Sequence, residues 1–271
     1  FLRPLGLRLT VANVPVFIIQ LVVFGLQSGS SVLISQYWGR GDRESINRVM
    51  GIGFMIAGGV SVLFAAILCA FPAQVLYLIT DNLTLVELAE PYLRIVGFSY
   101  IFNSLSSIYI GMQRSIENPR FGMIVFAISM LCNTLGNYVL IFGNFGAPRM
   151  GSAGAAAATL TARAVEAVIV TAYLLLADKK LRLRPRDFLR LDHSLFKRYL
   201  KVGLPVIISN GLWGIGTAVQ TAILGHMGDD AIAANSVASV VFQILTVVVY
   251  GAANASSIII GKTIGQGAEK L

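Results

Sequence analysis

Apolar residues in this chain come in long unbroken blocks, and charges are confined to the gaps between them. No charged residue lies between Arg8 and Arg40, Arg48 and Asp81, Lys201 and Asp229, or Asp230 and Lys262. Each stretch exceeds the roughly 20 residues that carry a helix across a bilayer core. Buried helices of soluble proteins rarely run so far without a charge. The pattern predicts seven transmembrane helices, over 11–37, 51–79, 92–112, 121–143, 151–177, 202–225 and 232–261. Small residues recur inside them, as in GSAGAAAA from Gly151 to Ala158. Such residues let helices approach closely where lipid offers no hydrophobic drive between them. The expected fold class is an all-α membrane protein, a polytopic helical bundle whose environment is the lipid bilayer.

Composition supports this reading. The 271 residues are 56% hydrophobic and 13% charged, whereas soluble domains carry about a quarter charged residues. The charges also predict orientation. Arg40, Arg43 and Arg48, then Arg114 and Arg120, then nine Lys/Arg between Lys179 and Lys201, then Lys262 and Lys270 all fall on one side of the predicted spans. The other side holds Arg3, Arg8 and Arg149. The lysine- and arginine-rich side is expected to be cytoplasmic. That bias accounts for the net charge of +8 without a nucleic-acid partner, and the basic linker can also lie against anionic lipid.

A self-match at an offset of 226 residues organises the chain. VANVPVFIIQLVVFGLQSGSSVLISQYWGRG, residues 11–41, aligns without a gap to VASVVFQILTVVVYGAANASSIIIGKTIGQG, residues 237–267, with 12 identities in 31 positions. Gly25/Gly251, Ser30/Ser256, Ser31/Ser257, Gly39/Gly265 and Gly41/Gly267 are among the identical pairs. Six predicted spans separate the two copies, and an even number keeps both pointing the same way across the bilayer. The expected architecture is therefore a parallel repeat of six-helix lobes about an axis along the membrane normal. Residues 1–178 would form an amino-terminal lobe lacking its first helix. Residues 179–201 would be a basic cytoplasmic linker, and 202–271 the first two helices of a carboxy-terminal lobe. The rest of a longer polypeptide, of twelve helices in all, is then an expected partner.

Several short motifs carry nothing. Gly261-Lys262-Thr263 lacks the upstream glycine of a phosphate loop, because position 256 is Ser. Arg40-Gly41-Asp42 sits on the predicted cytoplasmic side, and Asn82-Leu83-Thr84 is a sequon of use only in a glycosylating host. Cys69 and Cys132 lie within apolar spans as small buried hydrophobes. No nucleophile–base pair, metal-ligand spacing or dinucleotide fingerprint is present, so neither an enzyme nor a metal site is expected. The chemistry lies in polar groups at membrane depth. Arg163 and Glu166 stand three residues apart on one helix face, where charges pair with each other or face a cavity. Asn133 and Asn137 share a face at i, i+4. Gln27, Asn103, Asn210, Gln220 and Asn254 are further polar positions, open to interhelical hydrogen bonding or to lining a pathway.

GLQSGSSVLISQYWGRGD, Gly25 to Asp42, resembles the second helix and first cytoplasmic loop of multidrug and toxic compound extrusion (MATE) transporters. Asn133 to Gly143 is similar to the family's fifth helix, Gly151 to Thr159 to the start of its sixth, and Gly203-Leu204-Pro205 to the opening of its seventh. The resemblance covers nearly the whole chain, as helices two to eight of twelve. It implies a V-shaped pair of lobes in a multi-pass protein of the plasma or bacterial inner membrane. It also implies export of organic cations or similar amphiphiles, driven by entry of sodium or protons, with no other cofactor. In some members an Asn and an Asp one turn apart on helix five and a Thr on helix six hold the coupling cation. These positions fall on Asn133, Asn137 and Thr159, so an amide stands where the pattern has an acid. Other members use a Glu on helix seven, where the nearest match here is Trp213. The expected ion or substrate pathway is therefore Asn133, Asn137, Thr159, Arg163, Glu166, Gln27, Asn210 and Asn254. Two alternatives are a lipid-linked oligosaccharide flippase of the same superfamily, expected to line its cavity with more cations, and a seven-helix receptor, which leaves the repeat without a reason.

Overall fold

The computed structural model of the chain describes residues 2–77, 83–178, 192–227 and 229–267, and every regular element among them is helical. Helix α1 spans Leu2–Arg40, α2 Arg43–Ala70, α3 Pro72–Tyr77, α4 Leu83–Ser115, α5 Pro119–Phe142, α6 Ser152–Ala172, α7 His193–Met227 and α8 Asp229–Gly265. Six of these offer described segments long and apolar enough to cross a bilayer, at 15–40, 43–70, 89–115, 119–142, 152–177 and 237–265. The remaining predicted span, 202–225, lies within the 35-residue α7.

Local chemistry sets the boundaries. Asp42 caps α2 by accepting hydrogen bonds from the Ser45 N–H at 3.0 Å and the Ser45 hydroxyl at 2.6 Å. Pro119 opens α5, where its missing N–H costs nothing, and Gly143 closes it in the left-handed conformation at φ 76°. The span predicted over 51–79 lies earlier in the structure, where α2 runs from Arg43 to Ala70. α2 stops at Ala70 because Pro72 cannot continue it, and the proline starts the separate short helix α3. Asn82 of the sequon and residues 179–191 of the linker lie outside the described residues. From His193 the linker is already helical and runs on into α7. Asp192 accepts from the Ser194 N–H at 2.9 Å and the Ser194 hydroxyl at 2.8 Å, and these bonds hold its carboxyl below the usual carboxylate range. Leu195 and Tyr199 are buried while Lys197, Arg198 and Lys201 are exposed. This amphipathic turn is why an uncharged window places the span's start later.

α1 is the hub and packs against α2, α4, α7 and α8, while α5 and α6 pair and join the rest through α4. Leu33, Ile34, Met50, Ile52, Ile108, Met112 and Tyr199 form one buried cluster, and Val16, Ile19, Leu68, Leu76, Leu93 and Val96 another. Tyr199 ties α7 to α1, donating to the Leu26 carbonyl at 2.8 Å and accepting from the Ser30 hydroxyl at 3.0 Å. α5 exposes Met123 and Leu135, and α8 exposes Val241, Leu245 and Val248.

The repeat appears as a local two-fold axis. α1 and α8 lie with their carboxy-terminal ends together. Gly39 abuts the Lys262 carbonyl, Gly265 abuts the Gln36 carbonyl, and Gly261 abuts the Ser35 side chain. Under the 226-residue offset, Gly39 is equivalent to Gly265, Gln36 to Lys262 and Ser35 to Gly261. The first two contacts are thus one contact seen twice, and the third is a position meeting its own equivalent. That is how a self-complementary two-fold interface behaves. Because the two helices run the same way, the axis lies along the membrane normal. The carboxy-terminal ends of α1, α4 and α8 share one end of the bundle with Asp178 and Asp192, the described residues that flank the linker. There Lys262 Nζ pairs with Glu117 at 2.6 Å, Arg48 with Asp192 at 3.6 Å, and the Tyr109 hydroxyl donates to Asp178 at 2.7 Å. Among the described residues, Arg40, Arg43, Arg48, Arg114 and Lys262 therefore lie toward this one end.

Candidate functional site

α5 and α6 form the polar heart of the amino-terminal half. Small residues bring them close: Gly154 abuts the Leu140 carbonyl, and Gly136 faces Ala158. Toward their middle lies a cavity of about 430 Å³ lined by Phe126, Ser129, Met130, Asn133, Thr159, Ala162 and Arg163. The Ser129 hydroxyl donates to the Ala162 carbonyl at 3.4 Å. Asn133 Nδ2 donates to Thr159 Oγ1 at 3.3 Å, and Asn137 Nδ2 donates to Asn133 Oδ1 at 3.0 Å. The Thr159 hydroxyl in turn donates to the Ala155 carbonyl at 3.0 Å. The chain of bonds leaves Asn137 Oδ1 buried without a partner.

Below this amide pair sits the charged pair. Arg163 Nη1 meets Glu166 Oε2 at 2.8 Å, with the arginine side chain 29% exposed and the glutamate side chain 0%. Glu166 Oε1 is buried without a hydrogen-bond partner. A carboxylate held by one arginine, with one oxygen free, can release the arginine, accept a proton or accept a cation. The amide and hydroxyl oxygens of Asn133, Asn137 and Thr159 are hard neutral ligands of the kind that sodium accepts.

Four of the expected pathway residues, Asn133, Asn137, Thr159 and Arg163, thus gather between α5 and α6, with Glu166 tucked behind them. The other three do not join them. Gln27 and Asn254 line a separate, smaller cavity between α1 and α8. Asn210 stands on α7 with its Nδ2 buried and unpartnered, and Trp213 is 63% exposed on the same helix. Sequence reasoning missed Ser129, whose spacing of four before Asn133 places it on the same face. It also missed Arg114, assigned to a loop because the predicted span ends at 112. α4 continues to Ser115 and carries Arg114 to the α1–α8 cavity.

Comparison with known proteins decides the family. The MatE family model matches residues 9–139 and 205–271, well over half of the chain. The chain belongs to the MatE family. The relatives are described as multidrug resistance proteins. The probable multidrug resistance protein NorM of Thermotoga maritima is 27% identical over 258 residues, covering 94% of this chain and 55% of the relative. Its namesake in Agrobacterium fabrum is 30% identical over 254 residues, covering 91% of this chain and 54% of the relative. The chain therefore spans about half the length of the curated relatives it matches. Among solved structures, an outward-facing MATE family transporter of the MOP superfamily superposes with a TM-score of 0.83 at 22% identity, over 98% of this chain and 57% of that one. The MATE fold is thus shared, and the chain is a multi-pass membrane protein.

Proposed function

We propose that the protein is a secondary active transporter that exports organic cations or similar amphiphiles in exchange for sodium or protons. The observation that carries this reading is the cavity between α5 and α6, which gathers Ser129, Asn133, Thr159 and Arg163 among otherwise apolar membrane helices, with the buried Glu166 paired to Arg163 behind it. Membrane-embedded ionisable groups are costly, and they mark ion and substrate routes. The coupling ion enters this cavity. A proton would bind at Glu166, the carboxylate beside the cavity. Sodium would bind at the oxygens of Asn133, Asn137 and Thr159, with Glu166 as the counter-charge. An amide at 137 does not titrate, so proton coupling rests on Glu166 beside the cavity.

A flippase for lipid-linked oligosaccharide phosphates fits less well. The cavity is lined by one cation, Arg163, and Glu166 already neutralises it. The protein resides in the plasma or bacterial inner membrane, with the 179–201 linker, the start of α7 and the α1–α8 contact on the cytoplasmic face. The α1–α8 contact closes that face, so the lobes separate there during transport. The apolar face of α8 is covered by further helices of the intact two-lobed protein.

Dye accumulation in cells expressing the intact protein tests this reading. Expression should lower the accumulation of a cationic dye, and collapsing the ion gradients should abolish the effect. Glu166→Gln should stop export, as should the double change Arg163→Gln with Glu166→Gln, even where the double variant folds. Asn137→Ala should cost less export at equal expression. A well-folded double variant with parental efflux would reduce the pair to structural glue. Efflux that persists without any ion gradient would refute secondary transport.

A further inference from the structure

The second cavity lies where α1 of one lobe, α8 of the other and the end of α4 meet. Its volume is about 40 Å³, and Gln27, Ser28, Ser31, Arg114, Asn254 and Ser257 supply its polar lining. Ser28 and Asn254 are equivalent in the repeat, as are Ser31 and Ser257, so the cavity straddles the two-fold axis. Two of its donors are buried with no hydrogen-bond partner, Arg114 Nε and Ser31 Oγ. Arg114 also forms no ion pair among the described residues. The nearest carboxylate along the chain, Glu117, is committed elsewhere, with Oε1 on Lys262 at 2.6 Å and Oε2 on Trp38 Nε1 at 3.3 Å. Gln27 is held by its bond to the Ser107 carbonyl at 3.0 Å, and Gly111 makes room for its side chain.

Arg114 is partly exposed, but its Nε is buried and unpartnered, and so is the Ser31 hydroxyl; both line one small space with no acidic residue in its lining, and Arg114 has no ion pair among the described residues. Leaving buried donors unpaired is unfavourable. Donor chemistry with one positive charge selects an anion, and the volume admits a particle little larger than water, not an organic acid or a phosphate group. From this arrangement we propose that the cavity is a halide site, taking chloride under cellular conditions, with Arg114 and Ser31 as principal ligands and Ser257 contributing from the other lobe. A chloride bound there neutralises Arg114 and joins the lobes just above the Lys262–Glu117–Trp38 contact. It therefore favours the state in which α1 and α8 are in contact.

Thermal unfolding of the intact protein in detergent tests the site independently of transport. Sodium chloride and sodium bromide are compared with sodium gluconate at equal sodium and equal ionic strength. The halides should raise the melting temperature saturably, by roughly 5 °C at saturation, and gluconate, too large for the cavity, should not. Arg114→Gln should abolish the difference and Ser31→Ala should weaken it. Equal melting in halide and gluconate, or a halide effect unchanged in Arg114→Gln, would overturn the proposal. Should Arg114→Gln fail to fold, anomalous scattering from bromide-soaked crystals of the unaltered protein decides. A peak within hydrogen-bonding reach of Arg114 upholds the site, and no peak there with α1 and α8 in contact refutes it.

Discussion

α1 and α8 carry the same sequence pattern in different company. In its most apolar window α1 is 44% buried, whereas α8 is 6% buried. Gly25 of α1 abuts Ile207 of α7, but its equivalent Gly251 of α8 faces open space. Ser30 is fully buried and bonded to Tyr199, while its equivalent Ser256 is exposed. Identical residues are thus used on α1 and unused on α8 among the described residues. The two-fold axis supplies the physical reason to expect a use. A helix standing to α8 as α7 stands to α1 would reach Gly251 and Ser256.

The largest effect should come from the shared contact itself. Gly39→Leu and Gly265→Leu each drive a side chain into the facing backbone, and each should cost about 3 kcal/mol or more, in equal measure. Thermal unfolding of both variants checks this, and a large asymmetry would break the two-fold. Next, Gly25→Val should cost about 1–3 kcal/mol through its collision with Ile207. In the 271-residue chain alone, Gly251→Val should stay within about 0.5 kcal/mol of the parent. In the intact protein the two should converge if α8 acquires its own neighbour. A smaller contrast is Ser30→Ala, expected to cost about 1 kcal/mol for a lost buried hydrogen bond, against a neutral Ser256→Ala. Least of all, Lys262→Gln removes a half-exposed ion pair and should cost less than about 1 kcal/mol. That loss should shrink further in high salt.

Much of the fold was legible because the bilayer makes it so. Backbone groups in lipid must bond within their own helix, so uncharged stretches translate into helices. The repeat was legible through Gly39, Gly41, Gly265 and Gly267, whose spacing encodes close approach and a left-handed turn. The α5–α6 site was legible in part, since Asn133, Asn137, Arg163 and Glu166 are polar where lipid-facing residues are not. Which cavity each polar residue lines was not legible. Gln27 and Asn254 are as polar as Asn133, and only packing assigns them to the two-fold axis. Arg114 was hidden by a boundary effect, because a charge at the end of an apolar run reads as a loop. The amphipathic start of α7 was hidden for the same reason.

In the transport cycle proposed above, two parallel lobes meet at the carboxy-terminal ends of α1 and α8 and part there during export. Arg40 and Gln266 are equivalent in the repeat and exposed. Spin labels at Arg40→Cys and Gln266→Cys in the intact protein report the separation of those ends. With the outer side open a single short distance is expected. During export in reconstituted vesicles a second population should appear, longer by roughly 10 Å, as domain motions can produce. One unchanging short distance while dye export proceeds would overturn the proposed cycle.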